Sequence, residues 1–470
     1  MNDILLLLPF ATLIVLNLLP RSTRSAAWIP CLVIFGLQTA FAAAWPFVPH
    51  DWTALEPLET WMGISLTVDG LSVLLMGAAG LAGCAALILS SGRAATPQTR
   101  FSFCNLFLVA LAGMNGISMA RDLFTLYVFI EVTSVAAFIL VSVRGTKQGF
   151  EGAWKYLIMS AVASVFMLVA LAFFLLGAGG VTFAETAAAL AAPTPLVWVA
   201  TALFLCGLFV KGAMVPFHGW LADAYTEAPP AVAVFLAGIL TKASGIYALM
   251  RLVPLLPPAT GPIHFIVLIA GTVTAVVGAF LALTQSDMKR MLAWSSLSQM
   301  GYIVMALGGE PALALAAAGL HFFNHTVSKA QLFANAAAVE EQLNTRDMDR
   351  MGGLGTRMPL TAGTSAVATL SISGLPPLAG FWSKLLIVIG LWRAGQVVFA
   401  VIAILTSLVT LAYFLSLQRR AFFGKIAAEW ETVREAGPGF MVPAIVLAAI
   451  TVLVGIGFPL LLPVILGGGV

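Results

Sequence analysis

Residues 196–221 read LVWVATALFLCGLFVKGAMVPFHGWL, an apolar run of membrane-spanning length that contains a single lysine and, shortly after it, a proline. About 20 apolar residues cross the hydrocarbon core of a bilayer, so the run predicts a transmembrane helix. A lysine in hydrocarbon is costly, faces protein or water, and usually marks an ion pathway. Pro216 removes a backbone donor and clashes with the preceding turn, so we expect the helix to be kinked or unwound beside Lys211.

A second apolar run has the same design. The stretch Ser373-Gly-Leu-Pro-Pro-Leu-Ala-Gly-Phe-Trp-Ser-Lys384 places two prolines and a glycine just before a lysine. Irregular backbone at membrane depth is tolerated only where it is enclosed in protein or lines a wet cavity. Two interrupted helices in corresponding positions indicate an inverted repeat with a transport site between the two halves.

The composition is that of a membrane protein. Of the 470 residues, 60% are hydrophobic and 9% are charged, whereas soluble domains carry about 25% charged residues. The net charge of +3 gives no reason to expect a nucleic acid as partner. The four cysteines stand singly, without the spacing of metal ligands, and are interpreted as small core residues; they are Cys31, Cys84, Cys104 and Cys206.

We predict an all-α polytopic membrane protein with about fourteen transmembrane helices, so that residues 1–470 form a single membrane domain. The predicted helices are 3–20, 28–48, 69–90, 102–119, 122–143, 152–177, 196–221, 230–252, 262–284, 292–308, 312–338, 359–390, 396–417 and 439–465. The first segment lacks the basic start of a signal peptide and is interpreted as a helix that stays in the membrane.

Lysine and arginine are distributed unevenly between the loops. Odd-numbered loops hold fifteen of them, with Arg93 and Lys289 among these, and even-numbered loops hold three, with Arg251 among these. The positive-inside rule therefore places the odd-numbered loops in the cytoplasm and both chain termini on the other side. Five lysines remain inside the predicted helices: Lys155, Lys211, Lys242, Lys329 and Lys384.

One acidic residue lies in the middle of a predicted helix. Glu131 is surrounded by apolar residues in the fifth span, where a lone carboxylate would either protonate or need a cation. We expect a lysine from another helix to be its partner. The alternative is a structural ion pair that only holds two helices together.

The eleventh predicted helix carries three ionisable side chains in register. His321, His325 and Lys329 follow one another at intervals of four residues, so all three lie on one face about 6 Å apart. A lysine one turn away disfavours a bound metal cation. Since burial lowers the pKa of an ammonium group in general and a nearby carboxylate raises it, such residues can be switched between holding and releasing a proton. The pattern predicts a proton relay.

Four long motifs occur in the order of a known family. They are KGAMVPFHGWLADAYTEAPP (211–230), DMKRMLAWSSLSQMGY (287–302), TRDMDRMGGL (345–354) and GLPPLAGFWSK (374–384). Together they resemble the signature of the antiporter-like subunits of respiratory complex I, membrane-bound hydrogenases and Mrp-type cation/proton antiporters. The resemblance covers nearly the whole chain. It implies two inverted five-helix units, helices 4–8 (about 102–252) and helices 9–13 (about 262–417), flanked by helices 1–3 and 14, with helices 7 and 12 broken.

The resemblance also implies roles for individual residues. Glu131 and Lys211 match the coupled pair of a first half-channel, and Lys242 matches the central connecting residue. His321, His325 and Lys329 match the polar axis of helix eleven, and Lys384 matches the terminal lysine of the second half-channel, where some members of the family carry a glutamate. Accessory roles are left open for Lys155, His218 and Asp223.

These implications amount to one functional expectation with an alternative. The chain is expected to be a proton-translocating membrane subunit of a complex I-type NADH-quinone oxidoreductase or related hydrogenase complex, and the alternative is the D-type subunit of an Mrp Na⁺/H⁺ antiporter. A solute carrier and a scaffolding subunit are weaker alternatives. No phosphate loop or dinucleotide motif is present, so no cofactor is expected on this chain and any redox chemistry falls to partner subunits.

The same resemblance implies surroundings and partners. The expected partners are other antiporter-like subunits, the subunits that connect to a redox arm, and the bilayer, and the expected location is a bacterial inner membrane. The chain ends about five residues after its last predicted helix, so we expect it not to be the largest complex I antiporter-like subunit, which carries a long lateral helix.

Overall fold

The computed structural model describes residues 2–47, 65–90, 97–256 and 261–467, and Arg93 falls outside these ranges. The described residues are almost entirely helical, and their only β-type pairing is three isolated bridges. We number their helices α1 (Asn2–Leu18), α2 (Trp28–Ala44), α3 (Gly70–Ser90), α4 (Pro97–Met119), α5 (Leu123–Ser142), α6 (Lys147–Ala178), α7 (Phe183–Ala191), α8 (Pro195–Lys211), α9 (Gly219–Glu227), α10 (Pro230–Leu255), α11 (Pro262–Leu283), α12 (Met288–Ala306), α13 (Pro311–Leu343), α14 (Pro359–Ser373), α15 (Ala379–Arg393), α16 (Val397–Leu417) and α17 (Pro438–Gly467).

Long apolar helices dominate the described part of the chain. Nine of them have the length and composition to cross a membrane, and α8 is a shorter apolar helix. Large apolar side chains such as Val165, Leu176 and Phe280 are exposed on the outer faces, and surfaces of this kind fit contact with lipid. The chain is therefore a multi-pass helical membrane protein.

Helix α13 is the central element of the fold. It packs against α3, α10, α12, α14, α15 and α17. Its 33 residues give it a length of about 50 Å, which exceeds the roughly 30 Å thickness of a bilayer core. The helix is therefore longer than the hydrocarbon region is thick, and its C-terminal end, which carries Glu340 and Glu341, is the end suited to lie in water.

Two apolar helices are interrupted where the prolines predict it. Helix α8 ends at Lys211 and α9 begins at Gly219, and Ala213 between them has a positive φ of 52°. Helix α14 ends at Ser373 and α15 begins at Ala379, after a left-handed Gly374. The residues that directly follow α8, from Gly212 to Met214, are buried, whereas the prolines of the two breaks, Pro216, Pro376 and Pro377, are exposed.

Two basic residues predicted to lie in loops are instead buried in helices. Lys289 is in the first turn of α12 with 1% of its side chain exposed, and Arg251 is in the last turns of α10 with 7% exposed. Arg251 donates to both carboxylate oxygens of Asp69, to Ser72 and to the Ser118 carbonyl. Counting these two residues with the loops was wrong. Arg251 lies at the end of the predicted helix 230–252 and Lys289 lies just before the predicted helix 292–308, and helix ends that pack beneath other elements bury such charged groups.

Candidate functional site

The carboxylate of Glu131 on α5 meets the ammonium group of Lys211 at the end of α8. The Nζ–Oε1 distance is 2.7 Å, and the exposed fraction is 1% for the Lys211 side chain and 28% for that of Glu131. Lys211 also donates to Ser134 on α5 (3.0 Å) and Ser160 on α6 (2.6 Å). Ser164 on α6 donates to the same carboxylate oxygen at 2.7 Å. The ammonium group therefore has three polar partners from two helices, and the predicted partnership of Glu131 with a lysine is confirmed.

The break after α8 holds Lys211 in this position. A Cβ atom at Gly245 on α10 would lie 2.3 Å from the amide nitrogen of Gly212, so the two backbones are in direct contact. Gly245 belongs to a π-helical stretch, Ala243–Tyr247. Single-turn π stretches are frequent at functional sites because they distort the regular ladder. The distortion of α10 and the break in α8 thus pack against each other beside the ion pair.

Lys242 lies between two π-helical stretches of α10, Leu236–Leu240 and Ala243–Tyr247. Its side chain is fully buried, and its Nζ donates to the hydroxyl of Thr326 on α13 at 3.2 Å. Thr326 directly follows His325 in the sequence. Lys242 is therefore attached to the polar face of the central helix.

The two histidines of α13 are stacked in the interior. Their ring centroids are 6.5 Å apart with the planes inclined by 8°. His321 is held at both nitrogens, by the hydroxyl of Ser383 at 2.9 Å and the side-chain carbonyl of Gln299 at 3.2 Å. His325 is fully buried, and neither of its ring nitrogens has a hydrogen-bond partner among the described residues. A buried imidazole with two unmet nitrogens has both its donor and its acceptor free to exchange protons with water.

The remaining two lysines lie on either side of this stack. Lys329 donates to the carbonyl of Leu292 on α12 at 3.0 Å and faces the ring of Phe414 at 5.5 Å. Lys384 on α15 donates to Ser407 at 3.0 Å and faces the ring of Tyr302 at 4.6 Å. Neither ammonium group has a carboxylate within ion-pair distance in the described part of the chain. Buried lysines without a counter-charge are unusual outside ion pathways.

The break between α14 and α15 is shaped around Lys384. A Cβ atom at Gly374 would lie 3.1 Å from Cδ of this lysine, and a Cβ atom at Gly380 would lie 1.8 Å from the Ser371 carbonyl oxygen. The hydroxyl of Ser371 donates to Asn324 on α13 at 2.9 Å and accepts from the Gly380 amide at 3.2 Å. The Gly380 amide is thus linked through Ser371 to Asn324 on the polar face of α13.

Of the predicted accessory residues, two form an ion-pair network near the start of α6. Lys155 contacts Glu151 at 2.6 Å and Asp223 at 2.7 Å, and Asp223 also contacts Arg290 at 2.9 Å. Burial opposes the ionisation of Asp223, yet hydrogen bonds from Lys155 and Arg290 hold its pKa below the usual range. The third accessory residue, His218, lies in the α8–α9 break with its ring 5.8 Å from that of Trp294.

The predicted site residues therefore form two groups. Glu131 and Lys211 form the first, and the second surrounds α13 and consists of Lys242, His321, His325, Lys329 and Lys384. Among the described residues no hydrogen bond or ion pair directly joins the two groups, so continuity between them would depend on water.

Sequence reasoning missed one further buried pair. Lys289 on α12 contacts Glu340 on α13 as an ion pair, and Glu340 lies eleven residues after Lys329. Eleven residues return a helix to within about 20° of the same face. That spacing was the available signal, and it was missed because the predicted helix stopped at residue 338. Within the described ranges, no group of three His, Cys, Asp or Glu side chains could hold a metal ion.

Comparisons with known proteins agree with this architecture. A family model described as "NADH:quinone oxidoreductase/Mrp antiporter, TM" matches residues 120–410. NADH-quinone oxidoreductase subunit N of Desulforudis audaxviator is 37% identical over 77% of this chain and 73% of its own length. The D-type subunit of the Na(+)/H(+) antiporter of Alkalihalophilus pseudofirmus is 31% identical over 86% of this chain and 83% of its own.

A solved structure shares the fold over the full length. A chain of the Mrp complex from Dietzia sp. superposes with a TM-score of 0.90 at 26% identity, covering 99% of this chain and 96% of that chain. Residues 120–410, which the family model matches, include both helix breaks and all residues of the two predicted site groups. The chain therefore belongs to the NADH:quinone oxidoreductase/Mrp antiporter transmembrane family.

Proposed function

We propose that this chain moves protons across the membrane as an antiporter-like subunit of a complex I-type assembly, an NADH-quinone oxidoreductase or a related hydrogenase complex. The observation that supports this most directly is the Lys211–Glu131 pair, which is buried at a helix break between three helices. A buried ammonium group whose counter-ion can be protonated or displaced gains and loses its proton according to the position of that counter-ion. The pair is suited to switching.

The group around α13 supplies the second part of the proposed path. Lys242, Lys329 and Lys384 lie within electrostatic range of His325, so a change of charge on any of them acts on the imidazole. Like charges in a low dielectric repel strongly, so protonating one member favours release from the next. A proton arriving near Lys242 would therefore drive another out beyond Lys384.

We further propose fourteen transmembrane helices in two inverted repeats, helices 4–8 and 9–13 of the sequence prediction. Two isolated bridges support this, one joining Asp122 to Thr182 and one joining Asp287 to Asp347. In each bridge, the first residue is an aspartate that caps a helix, and its partner lies sixty positions later. Two helices separate the partners, α5 and α6 in the first bridge and α12 and α13 in the second. Each bridge is closed by two N–H···O backbone hydrogen bonds between the residues that flank the partners. Their lengths are 2.8 and 3.0 Å in the first bridge and 2.9 Å for both bonds in the second.

A second candidate function is that of the D-type subunit of an Mrp Na⁺/H⁺ antiporter. The likeness to the D-type subunit of the Alkalihalophilus antiporter and to the Dietzia Mrp chain favours it specifically. The two functions differ in what drives transport, since an antiporter needs a gradient of the second cation and an oxidoreductase needs electron transfer. Proton movement in reconstituted vesicles, measured with Na⁺ present or absent and with quinone reduction on or off, separates them.

The proposed setting follows from the same assignment. The protein would lie in a bacterial inner membrane with both termini on the non-cytoplasmic side, next to other antiporter-like subunits and those that lead to a redox arm. It would carry no cofactor of its own. The test of the proposal as a whole is Lys211→Ala in the assembled complex, which should abolish most proton translocation while the complex still assembles.

A further inference from the structure

A polar cavity of about 310 Å³ opens at the end of the molecule where α13 extends beyond the bilayer core. Its walls come from four places in the chain: the α5–α6 loop, the α9–α10 junction, the start of α12 and the end of α13. The lining side chains that matter here are Arg144, Gln148, Glu227, Lys289, Glu340 and Arg346. None of them belongs to the proton path proposed above.

The cavity has a buried ion pair on its inner side. Glu340 has 24% of its side chain exposed, whereas Lys289, which it contacts, has 1% exposed. Glu340 is thus the more exposed member of the pair, and its buried Oε2 atom contacts the ammonium group of Lys289. Arg144, which is exposed, and Arg346 face the pair from the α5–α6 loop and the end of α13. Arg346 is itself neutralised by Glu227 at 3.2 Å and Asp287 at 3.1 Å.

The charges of this cavity are balanced. Three lining groups are cationic, Lys289, Arg144 and Arg346, and two are carboxylates, Glu340 and Glu227. Asp287 does not line the cavity, but it pairs with Arg346 and brings the local charges to three against three. A site for an inorganic anion or a lipid phosphate would carry an excess of positive charge and free donors. A balanced, polar and open cavity instead suits water and exchangeable protons.

The Lys289–Glu340 pair lies in line with the polar group around α13, which we call the central file. Glu340 and Lys329 share one face of α13, eleven residues or about 16 Å apart. Lys329 donates to the carbonyl of Leu292, which is only one helical turn beyond Lys289 on α12. Between them on α13 lie the buried side chains of Phe333 and Ala336. The cavity and the file are thus separated by a short apolar section.

We propose that the Lys289–Glu340 pair is where protons from the aqueous phase at this face are taken up into the central file, an inference that rests on the proposed function. Glu340 takes a proton from cavity water and becomes neutral, so the ammonium group of Lys289 loses its counter-charge. Lys289 then releases its proton through intervening water to the neutral amine of Lys329. The proton on Glu340 passes to Lys289, which restores the pair.

The first experiment uses the assembled complex in vesicles with this face outside, driven by its own reaction. Glu340→Gln should slow the initial rate of proton translocation by about tenfold or more, since a positioned proton-transfer group contributes at least that much. The double variant Lys289→Met with Glu340→Gln removes both charges and leaves no unpaired buried ammonium group. The double variant should translocate protons as slowly as Glu340→Gln, while the amount of assembled complex stays normal. A double variant that translocates at the wild-type rate would show the pair to be structural and overturn the proposal.

A second experiment does not depend on the stability of the pair. Gln148→Cys places a thiol in the cavity wall, and Ser286→Cys places one at an exposed position on the same side that does not line the cavity. A charged, membrane-impermeant thiol reagent is added from this side, and labelling is counted by mass spectrometry. Translocation should fall in proportion to labelling at position 148 and stay unchanged at 286. A cavity thiol that reacts without loss of rate, or that the reagent does not reach, would contradict the proposal.

The Lys211 and Glu340 variants distinguish a failure of the uptake site from a failure of the proposed function. An inactive Lys211→Ala complex beside a fully active double variant would refute only the uptake site. A fully active Lys211→Ala complex would refute the proposed function, whatever the outcome at Glu340.

Discussion

Lys211 and Glu131 form an asymmetric ion pair, in which the ammonium group is almost completely buried and the carboxylate is more than a quarter exposed. The two atoms in contact, Nζ and Oε1, are 2.7 Å apart. The same Nζ also donates hydrogen bonds to the hydroxyls of Ser160 at 2.6 Å and Ser134 at 3.0 Å. The lysine is therefore fixed by its surroundings, while the carboxylate is the member whose position or protonation can change.

The first prediction concerns the charge on Lys211. Lys211→Ala should abolish most proton translocation, and Lys211→Arg should also fail, because a guanidinium keeps its proton throughout the physiological pH range. Glu131→Gln should cause much of the same loss, because a neutral amide cannot stabilise the protonated lysine. The measurement is the initial rate in reconstituted vesicles with a pH-sensitive dye, normalised to complex content.

Lys155→Ala is the matched control for these variants. Lys155 is also a paired lysine of a long apolar helix, but 42% of its side chain is exposed and its partners are Glu151 and Asp223. The rate should stay close to that of the wild type. Full translocation by Lys211→Arg would leave that residue only a fixed-charge role and remove proton release from the mechanism.

The second prediction concerns His325, whose ring nitrogens lack hydrogen-bond partners among the described residues. His325→Asn breaks no hydrogen bond of the described ranges, so thermal stability in detergent should change little. Translocation should fall by about a hundredfold, the typical contribution of a positioned proton-transfer group. At His321 the same substitution would remove bonds to Ser383 and Gln299, and should lower both the melting temperature and the rate. An equal loss of stability at positions 321 and 325 would show that the two histidines do not differ in their contribution to the fold.

Much of this site could be predicted from the sequence, because the signals are local. A single carboxylate in an apolar span requires a cation, and prolines after Lys211 and before Lys384 require a break; the structure shows both the pair and the breaks. The burial of Lys289 and Arg251 could not be predicted in this way. Each lies at a helix end, where the approach of a distant helix or loop decides whether the side chain meets water. The π-helical stretches beside Lys242 likewise depend on tertiary packing.

The third prediction tests the contact between the two irregular helices. Gly245→Ala would place a methyl group 2.3 Å from the Gly212 amide nitrogen and 2.4 Å from its Cα, and backbone atoms cannot move aside cheaply. The break should shift and displace Lys211 from Glu131, lowering translocation although no titratable group has changed. Gly363→Ala is the matched control, since nothing lies within 4 Å of a Cβ atom at that position. A Gly245→Ala complex with the wild-type rate would show that the position of Lys211 does not depend on this contact.

The fourth prediction concerns stability and its dependence on pH. Asp69, just before α3, is contacted by Arg251 at 2.5 Å and by Arg121 at 2.9 Å. Burial opposes its ionisation, but the hydrogen bonds and charges of Arg251, with help from Arg121, hold the pKa of Asp69 well below its usual range. Asp69→Asn leaves the buried Arg251 without its counter-ion. Breaking a fully buried pair costs about 3–5 kcal/mol, and the cost here should be smaller because 39% of the Asp69 side chain is exposed and screened by solvent.

The pH dependence follows from the sign of that pKa shift. Because the pKa of Asp69 is lower in the folded protein than in the unfolded chain, its stabilising effect is complete above the unfolded value of about 4 and is lost as the pH falls toward the folded value. The difference in melting temperature between wild type and Asp69→Asn should therefore be constant from about pH 5 to 8 and shrink below about pH 4. Thermal unfolding in detergent followed by tryptophan fluorescence measures it. Arg121→Ala, which removes the more exposed partner, should cost less than Asp69→Asn at every pH; a larger cost would mean that Arg121, and not Arg251, is the main counter-ion of Asp69.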